Sequence, residues 1–579
     1  MNDFSPGLHL LLVIAAPLVG GLAAWLLGGR GRTAVRQSAA VTTVVTLVLA
    51  GWLILRALAD PGFVAGEPFA VVSLPWLVES SFDVRFALGL DGLSLWMFGL
   101  AALLSVTAVF VSWDAIADRP VGFYVLLLVL EAAMLGVFAA RDVILFYVFF
   151  EFTLVPLFFL IGIWGHEERR RAAVKFFVYT LAGSLLTFLG LLAIVLWSAS
   201  HTGTISFDIA TLTGDLRRHP LPMTAATGWL QMVVFLALLA GFAVKVPIVP
   251  LHTWLPLAHV EAPTGGSVYL AGVLLKIGIY GFLRFSLPML PEATAVAAPW
   301  LFGLGVAGIL YGALVALVQT DLKRLIAYSS VSHMGYIVMG LFALTPVAVE
   351  GANLQLVNHG LSSAGLFAIV GMIYERFHTR SIANLGGIAS RAPWLAALFV
   401  LFTFSSIGLP GLNGFVGEFL ILAGSFQRAW AGVAPAYATA YLAMALAAVL
   451  GVVLGAWYML WALERVCFGP SREPPRAVGH GHDTGHAAAA VDHGGHGHGD
   501  HGHGFGHGAA AAADRCDLRW HELAALLPLA VFVVWIGLTP ATFLAPAAPT
   551  LRATTRSAAE AFAARMQVLT LSDQVAHAP

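Results

Sequence analysis

Two of the four lysines in the sequence, Lys245 and Lys276, lie inside long apolar segments. Three glutamates, Glu131, Glu151 and Glu418, share that setting. An ionisable side chain in a membrane-spanning helix costs roughly 2.5–3.5 kcal/mol on insertion scales, so it is expected to have both a partner and a function. Acids and amines that follow one another through a membrane can pass a proton from group to group. The five residues therefore predict a proton pathway.

Glu151 is the ninth residue of its apolar run, about 14 Å deep at the rise of an α-helix, which is close to the middle of a bilayer. Lys245 is the cation expected to keep it ionised, because it is the only cation in the neighbouring apolar segment. A static ion pair is the alternative interpretation. Buried ion pairs are often no more stable than apolar replacements, so stability alone is a poor reason to have one. The pattern favours a functional pair.

Lys276 has no acid within a helical turn of it in the sequence, and a buried lysine of this kind can exchange its proton when nearby charges change. His252, His333 and His359 lie at membrane depth and are expected to link the charged groups. A lone histidine in a helix is more often a polar group whose hydrogen bonds are simply satisfied by its neighbours. The occurrence of three histidines at membrane depth is what favours a hydrogen-bonded chain. No two of them are three or four residues apart, which disfavours a metal site. Glu131 fits a relay or a contact with a loop or partner subunit equally well.

The composition shows which elements must hold these residues. The chain has 579 residues, of which 59% are hydrophobic and 11% are charged, and its mean hydropathy is +0.86. Soluble domains carry roughly 25% charged residues, so the sequence predicts an all-α, polytopic membrane protein. About fourteen apolar windows are each long enough to cross a bilayer: 7–28, 38–59, 89–112, 121–140, 142–164, 174–198, 229–250, 262–287, 296–319, 326–343, 353–375, 393–427, 438–462 and 522–540.

Other classes of protein are excluded by the same composition. A net charge of −1 gives no basic surface for nucleic acid, and two cysteines cannot hold an iron–sulfur cluster with four thiolate ligands. No glycine-rich nucleotide loop lies between a strand and a helix. The predicted partner surface is therefore membrane lipid.

Spans 7 and 12 are predicted to be broken helices. Span 7 ends in a proline-rich stretch from Lys245 to His252, and span 12 is interrupted between Gly408 and Gly414. Proline removes a backbone donor and breaks a helix. Broken helices at membrane depth occur where they are buried in protein or line a wet cavity. Each break has a charged residue beside it, which points to the functional site.

The segment 480–507 is of low complexity and holds nine of the twenty histidines, interleaved with Gly, Ala and Asp. Such a composition cannot bury a core, so we interpret it as a linker. The alternative is loose binding of Zn²⁺ or Ni²⁺, although the tract offers many interchangeable ligands rather than four fixed ones.

Four motifs then resemble one family. The segment 151–165 (EFTLVPLFFLIGIWG), the segment from Lys245 through 259–267 (HVEAPTGGS) to Lys276, the segment 321–335 (DLKRLIAYSSVSHMG) and the segment 408–418 (GLPGLNGFVGE) are similar to chain M, the antiporter-like, proton-pumping membrane subunit of bacterial NADH:quinone oxidoreductase, respiratory complex I. The resemblance covers roughly residues 85–465. Leu257 departs from it, since many relatives have an aspartate at this position, and the histidine-rich tract lies outside it.

The resemblance implies a fold of about 14 transmembrane helices with two inverted five-helix repeats. It divides the chain into helices 1–3 (1–120), a first repeat (121–290), a second repeat (291–465), the histidine-rich linker (466–521) and the last helix with the C-terminal tail (522–579). It also implies that Glu151 pairs with Lys245, that Lys276 is the central relay and that Glu418 leads to the exit. His252, His333 and His359 would form the supporting polar axis.

The function implied is that of a proton-translocating, non-redox subunit in a bacterial inner membrane. No cofactor is expected on this chain, whereas NADH, FMN, iron–sulfur clusters and quinone would be bound elsewhere in a complex with sister antiporter-like chains. Two alternatives stay open. The chain could be a subunit of a multi-subunit Na⁺/H⁺ antiporter, which shares the helix pattern, or the membrane anchor of a hydrogenase-type complex with static buried charges.

Overall fold

The computed structural model describes residues 5–79, 82–223, 228–430, 435–472 and 517–576. Within these ranges eleven helices are long and apolar enough to cross a membrane, and three shorter apolar helices accompany them. The expected class, a helical polytopic membrane protein, is confirmed. The number of fourteen spans and the two repeats stay predictions, and the histidine-rich tract lies outside the described residues.

The helices are labelled in chain order. Those of the first half are α1 (Pro6–Leu26), α2 (Arg32–Leu58), α3 (Pro61–Val64), α4 (Leu95–Val111), α5 (Pro120–Ala139), α6 (Val143–Phe152), α7 (Leu154–Trp164), α8 (Arg169–Thr202), α9 (Ile209–Arg218), α10 (Leu230–Lys245), α11 (Leu255–Glu261), α12 (Thr264–Tyr269), α13 (Leu275–Gly281) and α14 (Leu287–Met289). Those of the second half are α15 (Pro291–Leu317), α16 (Leu322–Phe342), α17 (Pro346–Phe377), α18 (Ile388–Arg391), α19 (Pro393–Ser406), α20 (Asn413–Trp430), α21 (Pro435–Leu463), α22 (Trp520–Leu538), α23 (Ala541–Leu544) and α24 (Ala548–Ala576).

Short tighter or wider turns join some of these helices. Single 3₁₀ turns span Leu27–Arg30 and Ile382–Asn384. π-helical turns span Leu270–Leu274, Phe282–Ser286 and Glu464–Phe468. Single π turns inside α-helices are rare and occur frequently at functional sites. Two of the three flank α13, which carries Lys276.

A small sheet combines two strands between α3 and α4 with a short third strand between α8 and α9. Strand β1 (Phe69–Glu79) pairs antiparallel with β2 (Phe82–Leu90), and β3 (Ile205–Ser206) adds a short parallel pairing to β2. The sequence did not predict this sheet. The third apolar window was expected to begin at residue 89, whereas the helix begins at Leu95, because a hydropathy window does not separate the end of an apolar strand from the start of a helix.

The centre of the protein is formed by α12 to α14, α16 and α17. The apolar windows of the segment Thr264–Met289 and of α17 are buried along their whole length, and that of α16 is buried almost completely. The α1, α2 and α21 helices instead expose most of their apolar surface, as expected of helices that face lipid. Lys276, His333 and His359 therefore lie on helices that are buried within the protein.

Side chains at the helix starts fix where the central helices begin. The Asp142 carboxylate accepts hydrogen bonds from the backbone N–H groups of Ile144 and Leu145 at the start of α6. Asp321 accepts from the N–H of Arg324 in the same way at the start of α16. Such caps satisfy backbone donors that have no partner inside the helix.

Both predicted helix breaks are present. The first lies between Lys245, where α10 ends, and Leu255, where α11 begins. The indole N–H of Trp254 donates to the carbonyl of Val244 at 2.9 Å, so a side chain satisfies a terminal backbone group there. The second break separates Ser406 from Asn413.

The second break depends on glycine and on side chains of neighbouring helices. Gly408 and Gly411 have φ angles of +74° and +93°, a region that costs glycine little and other residues more. Asn358 of α17 donates to the carbonyl of Asn413 at 2.8 Å, and the hydroxyl of Ser405 donates to the Asn413 side chain at 2.6 Å. The broken backbone is therefore held by protein groups, as the membrane interior requires.

Candidate functional site: a buried line of acids, amines and imidazoles

Lys245 lies at the carboxyl end of α10 and meets the end of α6. Its ammonium donates to the Thr153 hydroxyl at 3.4 Å and lies 4.2 Å from the centre of the Phe150 ring. Glu151 is the charged group that acts on it electrostatically. The two form no direct ion pair in the structure, and one carboxylate oxygen of Glu151 has no hydrogen-bond partner within the described ranges. The expected pair is thus close in space but not in contact.

Lys276 is fully buried, and its ammonium has two acceptors. One is the backbone carbonyl of Ala271, in the π turn that precedes α13. The other is Nδ1 of His359 on α17, at 2.8 Å. An ammonium has donors only, so Nδ1 must accept, and a neutral His359 ring then carries its proton on Nε2.

A close contact between two glycines brings Lys276 to His359. A Cβ at Gly360 would lie 2.8 Å from the carbonyl oxygen of Gly272 and 2.6 Å from a methyl group of Leu100. Side chains never approach a carbonyl this closely, so only glycine allows the backbones of α17 and the π turn to touch here. This contact between the two backbones brings the amine of Lys276 within hydrogen-bond distance of the imidazole of His359.

His333 and Glu418 continue the line. The rings of His359 and His333 are 5.7 Å apart between their centres. Nδ1 of His333 lies 2.8 Å from Oε1 of Glu418, and its Nε2 lies 3.1 Å from the hydroxyl of Ser406. With the carboxylate ionised, Nδ1–H donates to it and Nε2 accepts from the serine. The two imidazoles then hold their protons on opposite nitrogens.

Glu418 is placed by the second helix break. It lies on the first turns of α20, and a Cβ at Gly408 would come within 3.3 Å of its Oε2. The amide of Gln355 donates to its Oε1 at 3.2 Å. The oxygen of the Gln355 side chain accepts a hydrogen bond from Asn358, which in turn binds the backbone of the break. Glu418 is thereby linked through hydrogen bonds to the broken segment.

Two of the expected residues lie apart from this line. The His252 ring packs against Tyr311, with 4.9 Å between ring centres, and its Nδ1 has no hydrogen-bond partner within the described ranges. Glu131 is completely buried, and neither carboxylate oxygen has such a partner. Its polar neighbours are Ser105 and Tyr269. The roles expected for these two residues stay predictions.

The sequence analysis missed two further buried groups. His259 stacks on Phe367 with 4.4 Å between ring centres, and neither ring nitrogen has a hydrogen-bond partner among the described residues. Both Lys276 and Lys323 act on it electrostatically. Lys323 donates to the carbonyls of Val260 and Ala262. His259 belongs to the motif 259–267, and its position beside an apolar run was the feature of the sequence that could have indicated a buried imidazole.

The buried groups suit proton transfer better than metal binding. The described residues contain no group of three His, Cys, Asp or Glu side chains that could hold a metal ion. What they bring together is an amine, two imidazoles and a carboxylate in sequence: Lys276, His359, His333 and Glu418. Each of these groups can accept and release a proton, whereas amines and imidazolium ions cannot bind Na⁺.

Comparison with known proteins agrees with the resemblance. A family model described as the transmembrane part of NADH:quinone oxidoreductase and Mrp antiporter subunits matches residues 140–443. The chain belongs to this family. Subunit M of the NADH-quinone oxidoreductase of Pseudomonas aeruginosa is 40% identical over 81% of this chain and 89% of its own length. The Escherichia coli subunit M is 43% identical over 72% of this chain and 81% of its own length.

The fold is shared with a solved structure of the same family. A chain of respiratory complex I from Thermus thermophilus, solved with bound NADH, superposes with a TM-score of 0.76 at 30% identity, covering 95% of this chain and 99% of that one. The expected similarity to chain M is therefore confirmed.

Proposed function

We propose that this chain is a proton-translocating membrane-arm subunit of an NADH–quinone oxidoreductase, and that its buried acids, amines and imidazoles carry the proton. The observation that supports this most directly is the contact sequence from Lys276 through His359 and His333 to Glu418. The electron carriers would lie on other subunits, so the chain would be a non-redox part of the enzyme. Its neighbours would be sister antiporter-like chains in a bacterial inner membrane.

The first step is an electrostatic change near Glu151. Lys245 has no direct contact with Glu151, so its charge is balanced weakly by Thr153, the Phe150 ring and the end of α10. A charge shift that arrives from the neighbouring subunit would change how strongly Glu151 holds the ammonium. Lys245 then releases its proton toward Lys276, and His259, whose ring nitrogens have no hydrogen-bond partner among the described residues, is available to take part.

The second step passes the proton along the contact sequence. Lys276 donates to Nδ1 of His359, and the ring releases the proton it holds on Nε2. Transfer across the 5.7 Å between the rings requires a ring rotation or a bridging water. His333 then donates from Nδ1 to Glu418, which releases the proton outward. Each group returns to its starting protonation state when the next proton arrives.

The proposal is tested with the Lys276→Ala variant in the assembled complex, reconstituted in closed vesicles. We expect proton uptake coupled to NADH oxidation by quinone to fall by about a hundredfold, the lower end of the range for loss of a positioned proton carrier. Electron transfer from NADH to a soluble acceptor should stay normal and so show that the complex is intact. The control is Arg324→Ala, which removes an exposed positive charge from α16. Normal coupling in Lys276→Ala would contradict the proposal.

A Na⁺/H⁺ antiporter is the second candidate, because the matching family model includes Mrp antiporter subunits. The two candidates differ in their energy source. Vesicles that contain the purified assembly would exchange Na⁺ for H⁺ without NADH and quinone if the chain served an antiporter. Proton movement that needs NADH and quinone but not Na⁺ supports the first candidate.

A further inference from the structure

A polar cavity lies away from the proton line, where α9, the end of the α13–α14 segment and the start of α24 meet. Its volume is about 290 Å³, at the lower end of the range of roughly 300–1,000 Å³ for small-molecule sites. Its polar lining consists of three arginines, Arg141, Arg217 and Arg284, and three threonines, Thr213, Thr550 and Thr554. No carboxylate is among the described residues that line it.

One of the three arginines is already neutralised. Arg284 makes two hydrogen bonds to the Asp91 carboxylate, at 2.6 and 2.9 Å. Burial alone would raise the pKa of Asp91, but Arg284 and more weakly Arg141 lower it to about 2. Asp91 is therefore ionised at neutral pH and supplies one negative charge behind the cavity wall. Two positive charges remain.

Arg141 interacts with the Asp91 carboxylate only at long range and makes no direct contact with it. Its guanidinium has no hydrogen bond or ion pair to any residue that the structure describes, although the side chain is more than half buried. The side chain crosses β2 at Gly89, where a Cβ would come within 2.7 Å of its Cδ. Glycine at this position opens the path by which the guanidinium reaches the cavity. Arg217 faces the same space from α9 and is likewise unpaired.

We propose that this cavity binds a phosphate group, held by Arg141 and Arg217 and by the neighbouring threonine hydroxyls. Guanidinium groups bind phosphate through paired, charge-assisted hydrogen bonds, and hydroxyls donate to the remaining oxygens. Two unpaired arginines with no lining acid match the charge of a phosphate dianion, or exceed that of a phosphodiester. The phosphate belongs either to a phospholipid headgroup at the membrane surface or to free inorganic phosphate.

The experiment uses the detergent-purified, assembled complex as wild type, as Arg141→Gln with Arg217→Gln, and as Arg217→Gln alone. The control is Arg565→Gln, an exposed arginine on α24 outside the cavity lining. One arm titrates delipidated complex with radiolabelled inorganic phosphate. The other measures binding of phosphatidylglycerol from mixed micelles, with an uncharged detergent that contains no phosphate, such as an alkyl maltoside, supplying the background in every sample.

We expect one site per chain in the wild type and the control, with affinity reduced by about tenfold or more in the double variant. Arg217→Gln alone removes an exposed side chain, so it leaves the fold intact and should weaken binding by a smaller factor. If the variants lose binding only in the lipid arm, the ligand is a lipid headgroup. If they lose binding in the phosphate arm, the ligand is the free ion. Equal binding of both probes to all four proteins would overturn the proposal. Because proton translocation is not part of the measurement, the outcome does not depend on the proposed function.

Discussion

Lys276 and His359 lie 83 residues apart in the sequence, yet they share a hydrogen bond of 2.8 Å between Nζ and Nδ1. The bond joins two titratable groups rather than a titratable group and a fixed counter-charge. A charged Lys276 can only donate, and a neutral His359 then carries its proton on Nε2, on the opposite side of the ring from Lys276. Proton transfer across this imidazole therefore has a direction that is set by its hydrogen bonds.

Replacing His359 by alanine should stop transfer from Lys276 while leaving the helices in place. We expect coupled proton uptake in vesicles to fall by about tenfold or more. His359→Gln keeps a polar side chain of similar length but cannot relay a proton, so it should show the same loss. The control is His378→Ala, an exposed histidine that follows the end of the same helix. Wild-type coupling in both His359 variants would exclude a relay through this ring.

Replacing Glu418 by glutamine should impair proton release more than stability. Glutamine still accepts a hydrogen bond from Gln355 but cannot take up the proton that His333 donates. We expect coupled proton uptake to fall by about tenfold or more, with normal assembly. Glu418→Ala should in addition destabilise the fold by about 1–3 kcal/mol, because buried donors lose their acceptor. Glu464→Gln, at an exposed position, is the control. Equal pumping in Glu418→Gln and wild type would remove Glu418 from the pathway.

Adding a methyl group at Gly360 should separate α17 from the π turn that precedes α13. The new Cβ would collide with the Gly272 carbonyl and with Leu100, and overpacking of this kind costs about 1–3 kcal/mol. We expect Gly360→Ala to lower the unfolding temperature of the complex and to reduce pumping, because the contact between Lys276 and His359 depends on this approach. Gly51→Ala in α2 is the matched control, since nothing lies within 4 Å of its Cβ. A fully active Gly360→Ala variant would show that the contact is dispensable.

Asp142 should make the stability of the chain depend on pH. Burial raises the pKa of its carboxyl to about 6, and Asp208 adds to the shift. The folded chain then binds a proton that the unfolded chain releases between roughly pH 4 and pH 6, so stability falls as the pH rises through this range. Asparagine also caps helices, so Asp142→Asn should remove about 1–2 kcal/mol of this dependence.

The measurement is the unfolding temperature of the purified complex between about pH 4 and pH 7. Asp60→Asn, at the cap of α3, is the control and should leave the curve unchanged. A wild-type curve that Asp142→Asn does not flatten would show that this carboxyl does not titrate in the expected range.

The sequence predicts the membrane class and the two breaks because prolines, glycines and charges are rare and costly inside apolar helices. It also identifies Lys276, His359, His333 and Glu418, which the structure brings into one line. Their order in space could not be read from it, because that order depends on the contact between Gly272 and Gly360, two glycines far apart in the chain. Spacing along one helix contains no such information.

Other features were missed for physical reasons. Strands β1 and β2 have eleven and nine residues, so a search for apolar windows long enough to cross a bilayer did not reveal them. Arg284 lies in an apolar window and was not singled out. Its partner Asp91 lies almost two hundred residues earlier, so the sequence did not indicate the pair. The expected ion pair of Lys245 is a near approach instead, because Thr153 and Phe150 surround the ammonium.

The π turn before α13 contributes something that no side chain supplies. By offering the Ala271 carbonyl to the ammonium of Lys276, the helix gives the lysine an acceptor that carries no net charge and belongs to its own backbone. A carboxylate in that place would favour the charged form of the lysine strongly, and an apolar surface would favour its neutral form. The backbone holds the amine in position whether it is charged or neutral, so the position of Lys276 does not depend on its protonation state.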